Sequence, residues 1–384
     1  MNTVRSGFRV VLSAASAGWS WAVVLLMLCT AQPAVAQRFA AIGDYGYSGT
    51  PERDVANLVK SWDPEFIITL GDNNYDSGDS TTIDQNIGQY YHQYIGNYRG
   101  RYGPSASTNR FFPSLGNHDY YTRNGEAYKH YFTLPGNGRY YDFVRGDVHF
   151  FALNSDPAEP DGVTATSKQA QWLQARLAAS TARWKVVYLH HAPYSSGAHG
   201  STPASQWPFK AWGASVVLAG HDHHYERLMQ DSLLYIVNGL GGRSYYRVNA
   251  QRVPQSQFAY TGNYGAMLLN ATPDSLTLQF FTRSRQLIDQ YTLRRPTTSK
   301  AVLYPLSPNP VEGSASVEYF LPAAVTVKLR VVNMLGQEVT VLQQGAVAAG
   351  WHRISWDRGA LPAGLYYVQL RSASFSQVVR AQLL

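Results

Sequence analysis

The sequence predicts an α/β protein, two β-sheets flanked by helices, followed by a small all-β sandwich. Three observations predict it. Short apolar, β-favouring runs end repeatedly in Gly-Asp, Gly-Asn-His or His-rich clusters, as strands do when an open α/β sheet presents polar residues at its carboxyl edge. Helical patterns alternate with the first of these runs and give way to strand patterns alone after Arg227. Beyond residue 303 apolar residues recur every second position, the mark of half-exposed antiparallel strands.

The clearest run is Phe66-Ile67-Ile68-Thr69-Leu70, which lacks helical spacing and enters Gly71-Asp72-Asn73-Asn74-Tyr75. Four others share its form. Phe39 to Ile42 enters Gly43-Asp44, and Phe111 to Leu115 enters Gly116-Asn117-His118-Asp119. Val186 to Leu189 enters His190-His191-Ala192-Pro193, and Val216 to Ala219 enters Gly220-His221-Asp222-His223. Singly, an Asp beside Gly is an ordinary turn residue. Jointly, these ends deliver carboxylates, an amide, a phenol and imidazoles, an inventory for two metal ions.

The elements between follow in order. Residues 52–61, with Val55, Leu58 and Val59 apolar, predict a helix and hence a parallel crossover between the first two strands. Residues 84–95 predict another, its Ile87, Tyr90, Tyr91 and Tyr94 stripe facing the core. Tyr140–Val144 and Val148–Leu153 flank Arg145-Gly146-Asp147 as a hairpin. Ser167 caps a helix to Ala178 whose apolar face is Ala170, Trp172, Leu173 and Leu177. Leu233–Val237, Ala266–Leu269 and Leu276–Phe281 read as strands. Arg294 to Lys300 has linker composition, dividing a domain over 37–298 from a second over 303–384.

The first 36 residues differ from the rest. Arg5 and Arg9 precede an apolar core, Trp21 to Cys29, and Ala34-Val35-Ala36 ends the segment, which reads as a secretory signal cleaved after Ala36. The apolar run is shorter than the ~20 residues of a spanning helix, so no stable membrane span is expected. Cys29 is the single cysteine, and cleavage leaves a chain without disulfides. The net charge of +7 falls to +5 when Arg5 and Arg9 leave. That mild positive field suits anionic substrates, while the lack of a Lys/Arg cluster argues against a nucleic-acid partner.

Mixed oxygen and imidazole donors suit iron, manganese or zinc. A central carboxylate, Asp72, is placed to bridge two ions, and two ions ~3.5–4 Å apart clamp a phosphoryl group and turn water into hydroxide for in-line attack. Tyr75 is a poor ligand unless the metal is acidic enough to hold a phenolate, as ferric iron is. From Phe39 to Phe281 the five ordered motifs resemble the calcineurin-like metallophosphoesterases, and Asp72-x-x-Tyr75 resembles the purple, tartrate-resistant acid phosphatases. The resemblance implies Fe(3+) held by Asp44, Tyr75 and His223, Asp72 bridging, and a divalent ion (Fe, Zn or Mn) held by Asn117, His191 and His221. His190 competes with His191. The x-Pro that follows favours His191, and strand alternation predicts that only one of the two faces the metals. The resemblance also gives His118, oriented by Asp119, and His199 the substrate-facing roles of charge stabilisation and proton donation. His224 and Glu226-Arg227 read as loop braces, and Asn238-Gly239-Leu240-Gly241-Gly242 resembles the family's Gly-rich turn.

In the tail, Ser307-Pro308-Asn309-Pro310, Asn333-Met334-Leu335-Gly336 and Gly364-Leu365-Tyr366-Tyr367-Val368 resemble a type IX secretion sorting domain. The resulting expectation is a phosphatase exported through the periplasm to the cell surface or medium, acting on small phosphomonoesters and handled by the type IX machinery. Two rivals stand beside it: a phosphodiesterase or nucleotidase with Mn or Zn, and an inactive metal-binding surface adhesion protein.

Overall fold

Side-chain parity in the first strand sets the layering. Phe39 and Ala41 of β1 (Gln37–Ile42) enter one core, while Ala40 and Ile42 enter another on the opposite face. A strand apolar on both faces must be covered on both. The computed structural model describes residues 36–295, 300–306 and 309–384. The expected signal segment, with Cys29, therefore lies outside the described residues except for Ala36. Most of the linker and the Ser307-Pro308 step lie outside them as well.

In chain order the larger part, which precedes the linker, contains β2 (Phe66–Thr69), β3 (Phe111–Pro113), β4 (Tyr141–Arg145), β5 (Val148–Ala152), β6 (Trp184–Tyr188) and β7 (Val216–Ala219). It continues with β8 (Tyr225–Gln230), β9 (Leu233–Asn238), β10 (Ser256–Tyr260), β11 (Gly265–Ala271), β12 (Ser275–Thr282) and β13 (Leu287–Arg294). One sheet runs β13-β12-β11-β1-β2-β3 and the other β10-β8-β9-β7-β6-β5-β4. Strands β1, β2 and β3 are mutually parallel, as are β5, β6, β7 and β9. The sheets face each other across a core of Phe39, Phe66, Phe150, Val186, Tyr188, Val216 and Ile236. Phe39 stacks on Phe66 at 5.1 Å and meets Phe150 of the other sheet edge-on at 5.0 Å.

Helices cover the outer faces. Thr50–Ser61, opened by Pro51, packs Val55, Leu58 and Val59 on the first sheet. Lys168–Ala179 packs Ala170, Leu173 and Leu177 on the second, and Ser167 caps it by accepting from the Ala170 N–H at 3.2 Å. The single helix expected over 84–95 is instead a composite. A π turn at Asp84–Gly88 leads through Gln89–Tyr91 into a 3₁₀ turn at His92–Tyr94. Gly88 lies against the hydroxyls of Tyr98 and Tyr131, where a Cβ would come within 2.5 Å of either. That close approach accompanies the widened turn. The tyrosine stripe is buried as core.

The C-terminal region is all β: β14 (Val302–Leu303), β15 (Ser314–Leu321), β16 (Val325–Val332), β17 (Glu338–Val347), β18 (Gly350–Asp357), β19 (Gly364–Arg371) and β20 (Ser376–Leu383). Sheets β14-β15-β18 and β17-β16-β19-β20 close on a core of their own, with Val327, Leu329, Val331, Val368 and Leu370 inward. Among the described residues, no helix is long and apolar enough to cross a membrane.

Candidate active site

The polar clusters lie just beyond the carboxyl ends of β1, β2, β3, β6 and β7, all parallel strands. Chain direction changes there within one residue. Asp44, Asp72 and His221 take left-handed φ values of 56°, 52° and 71°, a region that costs most L residues about 1–2 kcal/mol each but suits Asp and His better than most. Neighbouring glycines let the loops close. A Cβ on Gly71 would come within 2.5 Å of His190 Nδ1, and one on Gly220 within 2.6 Å of Asp44 Oδ2.

Two donor groups result. In the first, the Tyr75 hydroxyl donates to Asp44 Oδ1 at 3.2 Å and lies 3.1 Å from His223 Nε2. His223 Nε2 is in turn 3.2 Å from Asp44 Oδ1. The second centres on His190 Nε2, which lies 3.3 Å from Asp72 Oδ1, 3.1 Å from Asn117 Oδ1 and 3.2 Å from His221 Nδ1. Donor atoms of Asp44, Asp72 and His223 all fall within 4.8 Å of one another, and all three residues are buried. Two buried carboxylates so close call for a cation, and this oxygen-and-imidazole set fits one.

Electrostatics agree with that fit. Burial pushes the Asp72 carboxyl up, but the charge of His190 more than offsets it and holds it below the usual range. Burial works against the His190 imidazolium, yet Asp72 raises it to about 10. Burial and then His190 lower His191, to about 3, and lower His221 as well. Burial, Asp72 and Asp44 keep the Tyr75 phenol protonated well above its ordinary range. A phenolate at this position therefore requires a strongly acidic metal.

Three expectations need correction or extension. Strand alternation does not separate His190 from His191, because β6 ends at Tyr188 and both residues lie in the loop beyond it. His190 is fully buried with Nδ1 2.8 Å from the Leu70 carbonyl, while the His191 ring lies 4.5 Å from that of His221. Ser155 clamps His191, its Oγ accepting from the backbone N–H at 2.8 Å and meeting Nδ1 at 2.9 Å. Asp119 does not orient His118. Its buried carboxylate accepts from Gly116 N at 2.9 Å and from Asn73 N and Nδ2 at 3.0 and 2.8 Å, bracing two site loops from beneath. Burial and the Asp72 charge push it up to about 7.

His118 is positioned instead by the Asp76 carbonyl at its Nδ1, with Nε2 4.0 Å from Asp72 Oδ2 and its ring 4.4 Å from that of Tyr75. His199 is exposed and stacks on His221 at 4.2 Å. Its loop hangs on Asp222, which accepts from Ser195 Oγ at 2.5 Å, His199 N at 2.8 Å and Gly200 N at 3.1 Å. His224 Nε2 meets Glu226 Oε2 at 3.0 Å, and that oxygen accepts from Ser196 N at 2.8 Å. Sequence reasoning also passes over Arg243 and Ser244, although they directly follow the Gly-rich turn. Ser244 Oγ is 2.6 Å from His223 Nδ1, fixing the ring so that Nε2 faces the site. The Arg243 guanidinium lies 4.2 Å over Tyr47 and 5.3 Å over Tyr75, and donates to Asp76 Oδ1 at 3.0 Å.

Buried carboxylates, imidazoles and a phenol gather at parallel strand ends of two packed sheets, the arrangement of the metallophosphoesterase fold. Residues 37–225 match the calcineurin-like phosphoesterase family and form a domain of that kind, so the protein is a phosphoesterase. Rat tartrate-resistant acid phosphatase type 5 is 26% identical over 287 residues, covering 63% of this chain and 83% of the relative. Purple acid phosphatase 17 of Arabidopsis thaliana is 24% identical over 244 residues, 54% of this chain and 69% of the relative. The structure of purple acid phosphatase PPD1 from yellow lupin superposes with TM-score 0.57 at 18% identity, over 69% of this chain and 55% of that one. This homology implies divalent metal ions. Residues 310–375 match the FlgD Ig-like domain family.

Proposed function

We propose that this is a phosphomonoesterase of the purple acid phosphatase type, using a ferric and a divalent ion. The observation that carries the reading is the Asp44–Tyr75–His223 group, a carboxylate, a phenol and an imidazole at 3.1–3.2 Å. These three would hold the ferric ion, Asp72 would be shared by both ions, and Asn117, His190 and His221 would hold the divalent ion. His190 takes the place that the sequence gives to His191, because its Nε2 lies 3.3 Å from Asp72 Oδ1, 3.1 Å from Asn117 Oδ1 and 3.2 Å from His221 Nδ1 while the Leu70 carbonyl anchors its Nδ1. The Nδ1 of His191 is held by Ser155. The ions, when bound, supply positive charge against the phosphoryl oxygens and acidity toward water.

The chain's own groups do the rest. Asn117 donates through Nδ2 to the Tyr121 hydroxyl at 2.8 Å, which fixes its amide with Oδ1 inward. His118, anchored at Nδ1, turns Nε2 toward the space beside Asp72 to stabilise phosphoryl charge. His199, at the rim, is placed to protonate the leaving alkoxide. Residues 1–36 direct export and 303–384 serve as a type IX sorting domain, a reading supported by the signal pattern and the tail motifs. Turnover of an aryl phosphate monoester and its matching diester, with metal analysis of the same preparation, tests the proposal. Monoester turnover with about one iron and one further divalent ion per chain is expected. Diester preference with two manganese or two zinc ions would shift the reading to a phosphodiesterase, and a metal-loaded protein inert to both would refute it.

A further inference from the structure

The C-terminal sandwich meets the catalytic part at a cleft of about 220 Å³, far from the donor groups. Its walls carry Lys210, Arg294, Arg295 and Arg353 but only one carboxylate, Glu318. Arg295 is wedged between two indoles, 5.4 Å from the Trp184 ring and 5.2 Å from that of Trp351 in β18. Arg353 Nε donates to Ser316 Oγ at 2.5 Å and lies 3.3 Å from Glu318 Oε1. Its guanidinium lies over Gly213, where a Cβ would come within 2.5 Å of Nη2. Beneath, Lys185 is buried and donates from Nζ to the Leu177 carbonyl at 3.1 Å. Burial, and then Arg353, lower its ammonium to about 7.

The charges do not balance. Among the described residues Lys185, Lys210, Arg294 and Arg295 make no ion pair, and Glu318 serves Arg353 alone. Residues 1–35, 296–299 and 307–308 contain no Asp or Glu in the sequence, so they bring no carboxylate side chain to this cluster. Like charges packed between low-dielectric walls repel, and removing guanidinium from water without a partner is costly. A multiply charged anion offsets both costs, and guanidinium forks match tetrahedral oxyanions. Size limits the choice. The cleft has room for one such anion and several waters at about 30 Å³ each, but lies below the range of about 300–1,000 Å³ for larger organic ligands.

We propose that this cleft binds a small oxyanion of the phosphate type, held by Lys210, Arg294, Arg295 and Arg353, and that the anion ties the sandwich to the catalytic part. Neither the ferric assignment nor turnover enters this proposal. The test is titration of the full metal-loaded chain with inorganic phosphate, and separately with sulfate, by calorimetry and thermal melting at constant ionic strength. The double variant Lys210→Gln/Arg294→Gln changes two exposed residues of this cleft, far from the metal donor groups, so fold and aryl phosphatase turnover in phosphate-free buffer stay as in wild type. Loss of this binding step, or a dissociation constant about tenfold or more higher, is expected, together with loss of most of the oxyanion-dependent rise in Tm. The charge-keeping pair Lys210→Arg/Arg294→Lys retains both. An unchanged phosphate response in the double variant would overturn the proposal, as would an equal rise in Tm from chloride.

Discussion

At the scale of single residues, Tyr75 makes the sharpest claim. Its hydroxyl touches both Asp44 and His223, so Tyr75→Phe deletes one donor and leaves the ring against His118. The oxidised wild type is expected to be violet to pink from phenolate-to-iron charge transfer, and the variant colourless with its fold intact. Visible spectra and metal analysis of aerobically purified protein check this, and a colourless wild type holding two zinc ions would remove the iron assignment. Asp72→Asn and His221→Ala are each expected to lower turnover by about three orders of magnitude or more, with Tm near wild type; full activity at full metal occupancy would refute their roles. Asp44, Asp72, Tyr75, Asn117, His221 and His223 were legible as a candidate cluster because each lies within five residues of the end of an apolar run. The His190–His191 pair was not, since where a strand ends depends on hydrogen bonds to neighbouring strands that one sequence does not display. Asp119 was misread for a similar reason. Its sequence neighbour is His118, but its partners Asn73 and Gly116 are decided by loop packing.

At the scale of elements, the loops at the strand ends are held by acids that face away from the chemistry. Asp222 gathers three donors from residues 195–200 and so carries the loop on which His199 sits. Asp222→Ala leaves those donors without a partner, at about 1–3 kcal/mol for each that stays buried. Lower Tm and a fall in kcat of about tenfold are expected, with metal content unchanged. Loss of a metal ion instead would place Asp222 among the residues supporting the ligands. Sequence periodicity found the strands and both flanking helices because their apolar faces repeat. It missed the π turn at Asp84–Gly88, which goes with a close approach of Gly88 to the Tyr98 and Tyr131 hydroxyls that periodicity does not display.

At the scale of the whole molecule, the sandwich contacts the start of β6, while the site lies past its end, about 17 Å along the strand. Deleting residues 303–384 is therefore expected to leave turnover intact with a modest loss of Tm. A molten or inactive truncation would show that the sandwich completes the catalytic part. The seam also predicts a pH dependence. Burial, and then Arg353, lower the Lys185 ammonium to about 7 in the folded chain, against about 10.4 for an exposed lysine. Between those values the unfolded chain binds the additional proton, so stability rises as pH rises; below about 7 the buried charge is carried in full. Lys185→Met, melted in phosphate-free buffer, is expected to gain most over wild type near about pH 6 and least near about pH 9. A gap independent of pH would show that the ammonium is not confined.

Strand β1 carries Asp44 at its end, and it lies inside its sheet between β2 and β11. Its register pairs Phe39 with Leu269, 230 residues further along. The first strand among the described residues is thus among the last to gain both neighbours. Closing so long a loop is slow, because its entropy is lost before its contacts form. The order of synthesis and the order of assembly run apart, and the metal site cannot be complete until most of the catalytic part has been made. A nascent chain of this design stays open for longer than one built from local hairpins, which leaves time for it to be threaded elsewhere before it closes.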